Sequence, residues 1–136
     1  MSNPSAAQDV PPIVGIIDPD PVARNGLRNL LHSVGVDVST FDSAESYLLA
    51  AGGRHLACLI VDLLLPGMSG LELLRRLRSA GNDVPVVLLA DESDVPTAVA
   101  AMREGATDFI EKPYVDVAVL KQVQKLLNGP PRTLHA

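Results

Sequence analysis

The 136-residue chain has no tryptophan, two tyrosines, two phenylalanines and one cysteine. Aromatics at 3 % offer no row of rings on which the bases of a single-stranded nucleic acid stack. A lone cysteine, Cys58, excludes an internal disulfide and any cysteine-built metal cluster. Its place in an apolar run marks it as a buried small hydrophobe rather than a reactive thiol. The histidines, His32, His55 and His135, have no metal-binding spacing and read as surface residues. Basic residues are in deficit, 11 Lys and Arg against 16 Asp and Glu, for a formal net charge of −5. That sign disfavours broad binding to nucleic acid or to an anionic membrane. No apolar run reaches the ~18–20 residues of a membrane span. The opening segment, Met1 to Pro12, has neither the basic nor the apolar region of a secretory signal. A reduced, cytoplasmic setting is expected.

What is present is globular material, 47 % hydrophobic and 20 % charged, in a length that suits one domain with its own core. Short apolar runs, Ile13 to Ile17, Val36 to Phe41, Leu56 to Val61, Val86 to Leu89 and Asp108 to Ile110, predict five strands. The first, third and fourth are almost continuously apolar, as strands buried on both faces of a parallel sheet are. Between them apolar residues return at helical spacing: Leu27, Leu30, Leu31 and Val34; Ala44, Tyr47, Leu48 and Ala51; Leu71, Leu74 and Leu77; Val95, Ala98, Val99 and Met102; Leu120, Val123 and Leu127. Gly35, Gly52, Gly81 and Gly105 stand where helices stop. Ser69 to Glu72 forms a capping box, and Asp94 with Pro96 suits a helix start. Arg75, Arg76 and Arg78 with Glu72 read as a solvated helix face. Five strand–helix units predict an open α/β parallel sheet with helices on both faces. The expected organisation is a disordered tail over 1–12, one domain over 13–127, and a linker or tail over 128–136, where Asn128-Gly129-Pro130-Pro131 stops the last helix.

In such a sheet, ligands bind beyond the carboxyl ends of the strands. The residues there are Asp18-Pro19-Asp20-Pro21, then Asp62, then Ala90-Asp91-Glu92, then Lys112-Pro113. Crowded carboxylates call for a cation, and oxygen donors without His or Cys point to Mg²⁺ or a similar ion. A carboxylate nucleophile, a metal and a lysine make a workable phosphoryl-transfer site.

Three stretches carry a family resemblance: Ile16-Ile17-Asp18; Ile60 to Gly70, reading IVDLLLPGMSG; and Gly105 to Tyr114, reading GATDFIEKPY. Together they resemble the receiver domain of two-component response regulators, over roughly Ile13 to Leu127. The stretch Asp94 to Val99 is similar to the subgroup followed by a helix-turn-helix output domain. The resemblance implies a flavodoxin-like five-stranded parallel sheet in the order 2-1-3-4-5. It implies Asp62 as phospho-acceptor from a histidine kinase. Mg²⁺ would be held by Asp18, Asp62 and the backbone carbonyl of Leu64. Lys112 would contact the phosphoryl group across a cis bond to Pro113. Phe109 would be the switch residue, and an alanine-rich fourth helix, Ala98 through Ala106, would form the homodimer face. DNA would be reached only through an output domain outside this chain. Such a module accepts its own phosphoryl group and is not a turnover enzyme.

Two positions depart from the family. Pro19 stands where a second acid is usual, and Asp20, two residues past Asp18, is its possible substitute as a ligand. Ala90 stands where a Thr or Ser hydroxyl normally ties the phosphoryl group to the switch. Leu64 places an apolar side chain toward the site. Two other readings follow: a receiver that signals by phosphorylation-independent protein binding, and a haloacid-dehalogenase-like phosphatase using Asp18 as nucleophile and Asp20 as acid/base. The second wants further motifs that this short chain does not display.

Overall fold

The computed structural model describes residues 12–50 and 55–128. Its elements are β1 (Ile13–Ile17), α1 (Pro21–Ser33), β2 (Asp37–Phe41), α2 (Ala44–Ala50), β3 (Cys58–Asp62), α3 (Gly70–Ser79), β4 (Val86–Ala90), a 3₁₀ turn (Glu92–Asp94), α4 (Val95–Arg103), β5 (Asp108–Glu111) and α5 (Asp116–Asn128). The five strands form one sheet in the order β2-β1-β3-β4-β5. Every neighbouring pair is parallel. The expected fold is therefore the observed one. The segments 1–11 and 129–136, and Gly52, lie outside the described residues.

Strand alternation divides the core into two layers. Val14, Ile16, Ile60 and Leu89 face α1 and α5, where Leu27, Leu31, Val119 and Val123 meet them. Ile17, Leu59, Val61 and Leu88 face the opposite way, onto Tyr47, Leu73, Leu74 and Leu77 and onto Ala98 and Ala101 of α4. Burial on both faces is the reason β1, β3 and β4 read as unbroken apolar runs.

Strand ends differ from the expected ones by one or two residues. β3 begins at Cys58, not Leu56, and includes Asp62; β4 includes Ala90, and β5 includes Glu111. Apolar character reports burial, whereas strand limits report pairing, and Asp62 pairs with Leu89 and Ala90 with Glu111. Asp62 and Ala90 thus belong to the strands rather than to the loops that follow.

Helix ends follow local chemistry. Gly35, Gly81 and Gly105 adopt positive φ at helix ends. Ser69 caps α3, its Oγ accepting from Glu72 N at 3.1 Å, but the Glu72 carboxylate meets the Ser69 hydroxyl (3.3 Å) instead of closing the box on its amide. Asp94 makes no side-chain cap, because it closes the 3₁₀ turn with φ −101° and ψ 1°, not the extended backbone of a capping residue. α4 turns its smallest side chains, Ala98 and Ala101, to the sheet, leaving Val99 47 % and Met102 37 % exposed although both lie on the expected stripe. Two of the arginines on the exposed face of α3 also reach beyond their own helix. Arg75 grips Glu104 with two bonds (2.6 and 2.9 Å), and Arg78 donates to the Gly105 carbonyl and to Asn82 O. The parallel crossover brings the end of α4 beside α3, a proximity that helical spacing does not encode.

Cys58 is fully buried, and burial pushes its thiol up to about 11. At about pH 8 the folded chain should leave a thiol-specific disulfide reagent unreacted, with full reaction after denaturation; prompt labelling of the native chain would contradict this packing.

Candidate functional site

The chain crosses between sheet faces at β1 and β3, so their carboxyl ends open a crevice. Asp18 follows β1 and is 1 % exposed; Asp62 ends β3 and is 9 % exposed. Lys112 follows β5, fixed by its backbone N donating to Ala90 O at 2.8 Å. Its Nζ lies 2.6 Å from Asp62 Oδ2 and 3.9 Å from Asp18 Oδ2. One ammonium therefore faces two carboxylates.

Each carboxylate is held by the backbone beyond it. Asp18 Oδ1 accepts from Asp20 N at 2.9 Å, and Asp62 Oδ1 accepts from Leu64 N at 3.0 Å. Asp18 N donates to Phe41 O at 3.1 Å, and Arg24 Nη1 donates to the Asp18 carbonyl at 2.7 Å. Arg24 carries no motif signal; helix geometry alone returns it to the strand end. The remaining Asp18 oxygen, Oδ2, is buried without a hydrogen-bond partner. Burial first, with Asp62 and Asp20 adding repulsion, holds the Asp18 carboxyl above its ordinary range despite the Asp20 amide and Lys112. Burial acts to lower Lys112, but the hydrogen bond and charge of Asp62, together with the charges of Asp18 and Asp91, outweigh it and the ammonium is held above its ordinary range. A buried, unpartnered carboxylate oxygen in a net-negative cluster is what a hard cation satisfies.

Asp20 does not complete that cluster. Its Oδ1 accepts from Val22 N at 3.0 Å and caps α1 ahead of Pro21. Among the described residues no three His, Cys, Asp or Glu side chains gather as a metal set. A helix start leaves amides without partners, and the nearest short carboxylate serves them. Two carboxylates remain, Asp18 and Asp62, with the Leu64 amide bonded to Asp62.

Ala90 ends β4 with its methyl buried. Phe109, paired with Leu88, is half-buried against the core layer that contains Ala90. The Lys112–Pro113 bond is cis. The Leu64 side chain is 57 % exposed at the rim. An open cleft of about 450 Å³ adjoins the site, lined by Ala23, Asp91, Lys112, Pro113 and Tyr114. His32 and His55 are exposed and outside the site.

Comparison with known proteins agrees with this fold. The family model for the response regulator receiver domain matches residues 14–124. The chain is 37 % identical over 112 residues to the transcriptional regulatory protein FixJ of Bradyrhizobium diazoefficiens, covering 82 % of this chain and 55 % of that protein. It is 40 % identical over 125 residues to the C4-dicarboxylate transport transcriptional regulatory protein DctD of Pseudomonas aeruginosa, covering 92 % of this chain and 27 % of that protein. Full-length FixJ from B. japonicum superposes with a TM-score of 0.83 at 33 % identity, over 91 % of this chain and 61 % of that one. The receiver domain of NtrX from Brucella abortus gives 0.80 at 28 % identity, over 86 % and 99 %. The chain belongs to the response regulator receiver domain family, the signalling modules of two-component systems. It spans about half the length of the FixJ protein it matches. This membership sets the phosphatase reading aside.

Gly70 starts α3 against the strand that ends in Asp62. A Cβ there would lie 2.7 Å from the Asp62 carbonyl oxygen and 3.0 Å from Leu63 Cα. Both are backbone and yield little, so Gly70→Ala should cost about 1–3 kcal/mol, read as a lower urea midpoint; an unchanged midpoint would show that the loop re-forms freely.

Proposed function

We propose that Asp62 accepts a phosphoryl group from the phosphohistidine of a partner histidine kinase. The observation that carries this is the cluster itself: Asp62 at a central strand end, 2.6 Å from Lys112 and beside the unpartnered Asp18 Oδ2. In the transfer, the bond from phosphorus to one ring nitrogen breaks and a bond from an Asp62 oxygen to phosphorus forms; the histidine, protonated on its other ring nitrogen, leaves as a neutral imidazole. Lys112 exchanges its Asp62 partner for a phosphoryl oxygen and keeps that charge compensated. Asp18, Asp62 and the Leu64 carbonyl are the groups that hold Mg²⁺, which when bound neutralises charge on the transferring group. The chain takes up the group once and does not turn over substrate.

Two residues set how this receiver differs from its relatives. Pro19 supplies no carboxylate and Asp20 is engaged as a cap, so Mg²⁺ binds more weakly than with a third acid. Ala90 supplies no hydroxyl, and a hydrogen bond to a charged acceptor is worth about 1.5–3 kcal/mol. The pull on the loop after β4, and through it on Phe109, is weaker by a comparable amount. Partners would read the state through α4, where Val99 and Met102 are exposed, a second copy of this chain among them. DNA contact belongs to an output domain such as those of the longer relatives. The buried Ala90 methyl favours one further reading, a receiver whose protein contacts do not depend on phosphorylation.

Incubation with Mg²⁺ and acetyl phosphate should add one phosphoryl group by intact mass, and Asp62→Asn should abolish it. A wild-type chain that stays unmodified with both acetyl phosphate and a phosphorylated kinase would leave the phosphorylation-independent reading. Pro19→Asp should tighten Mg²⁺ binding by about tenfold, since charge count among the ligands sets affinity in such sites; equal affinity would show that Pro19 is not the limiting position.

A further inference from the structure

The loop from β3 to α3, Leu63 to Ser69, includes Leu64 and is closed at its base by Leu63 N donating to Leu89 O at 2.9 Å and Gly70 N donating to Leu63 O at 3.0 Å. Leu63 and Leu65 are buried, and Leu64 N is bonded to Asp62. Past Leu65 the chain reverses through Pro66 and Gly67, with Gly67 at φ +74°. At this turn a side chain from another helix meets it. Glu45 Oε2, at the start of α2, accepts from Met68 N at 2.8 Å. The same carboxylate lies so close to Gly67 that a Cβ there would be 2.6 Å from Oε2.

Glu45 is itself firmly placed. Ser43 Oγ accepts from Ser46 N at 3.0 Å, and Ser46 Oγ donates to Asp42 Oδ1 at 3.1 Å, fixing the first turn of α2. Tyr47 is buried on the other side of that turn with its ring edge-on to Phe41, centroids 5.4 Å apart. The Met68 amide also holds the Glu45 carboxyl below its ordinary range, the mark of a bond made to the charged form.

We propose that Glu45 is a positioning residue for the cation site: by holding the Met68 amide it fixes the β3–α3 loop and thereby keeps the Leu64 carbonyl in place beside Asp18 and Asp62. The inference rests on the reading of that cluster as a Mg²⁺ site. Groups that orient a metal's ligands are worth about tenfold or more in affinity, and an exposed bond belongs at the lower end.

The experiment crosses charge against reach. Glu45→Gln loses the charge but keeps an oxygen at the same distance; Glu45→Asp keeps the charge but is one methylene too short. Glu45→Ala loses both, and Leu49→Ala, on the same helix and 88 % exposed, is the control. Mg²⁺ affinity is read from amide shifts on titration, Met68 from hydrogen exchange without metal, and stability from the urea midpoint. The expected result is affinity reduced about tenfold in the Asp and Ala variants and kept in Gln and Leu49→Ala, with Met68 protection falling in the same two. Three results overturn the proposal alone: Asp and Ala variants that bind Mg²⁺ as the wild type does; a Gln variant weakened like Ala, which makes the effect one of charge; and affinity that merely tracks the urea midpoint across the set. A wild-type chain that does not bind Mg²⁺ overturns the site reading and this proposal with it.

Discussion

Two carboxylates share one buried edge with one ammonium, and the surrounding structure is arranged to make that tolerable. Asp18 and Asp62 are nearly excluded from solvent, where an isolated charge costs several kcal/mol. Lys112 offsets part of this through its close bond to Asp62 and its longer approach to Asp18. Backbone amides two residues on take one oxygen of each carboxylate. Asp18 Oδ2 receives no hydrogen bond and has only the 3.9 Å approach of Lys112, so the cluster is left one positive partner short. That residual demand, rather than any single side chain, is what suits the edge to a cation and to a phosphoryl group whose oxygens need the same lysine.

The same demand shapes the loops. The turn after β1 folds back so that Asp20 N reaches Asp18, which leaves the Asp20 carboxylate facing the open end of α1, where it becomes the cap. Pro21 fits directly after it because the first helical residue needs no amide. Pro19 sits between them without a charge. The loop after β3 is tied at its start to Asp62 and at its end to Glu45, so α2 is joined to the loop that follows the buried carboxylate. Away from the crevice, Arg75 and Arg78 bind α3 to the end of α4. The helix packed against β3 is thereby hydrogen-bonded to the end of the helix that carries the exposed Val99 and Met102.

Polar groups are unequally distributed around this edge. The cluster has its strand-end carboxylates, its lysine and its loop amides. Ala90, at the end of β4, adds no hydroxyl between the cluster and Phe109, and its buried methyl contributes packing only. A two-state element whose gap is a few kcal/mol is sensitive to the loss of one charged hydrogen bond.

The sequence by itself determined the sheet, its five strand–helix units and the identity of the residues at the strand ends. It could do so because burial on both faces forces continuous apolar runs at β1, β3 and β4, and because Asp18, Asp62 and Lys112 stand in contiguous motifs that need no partner to be seen. The tertiary structure decided what those residues touch. Asp20 stood two positions from Asp18 in a pattern that admitted a ligand, yet the unpaired amides of α1 claimed it. Arg75 and Arg78 matched a solvated face until the crossover brought Glu104 and Gly105 beside them. Val99 and Met102 fitted the apolar stripe of α4, but Ala98 and Ala101 allow the closer approach to the sheet and took the buried side. Glu45 gave no signal at all, because its partner amide lies 23 residues along the chain. Periodicity and motifs report what a residue needs locally; which of several suitable partners satisfies that need is fixed only when distant segments are packed against one another.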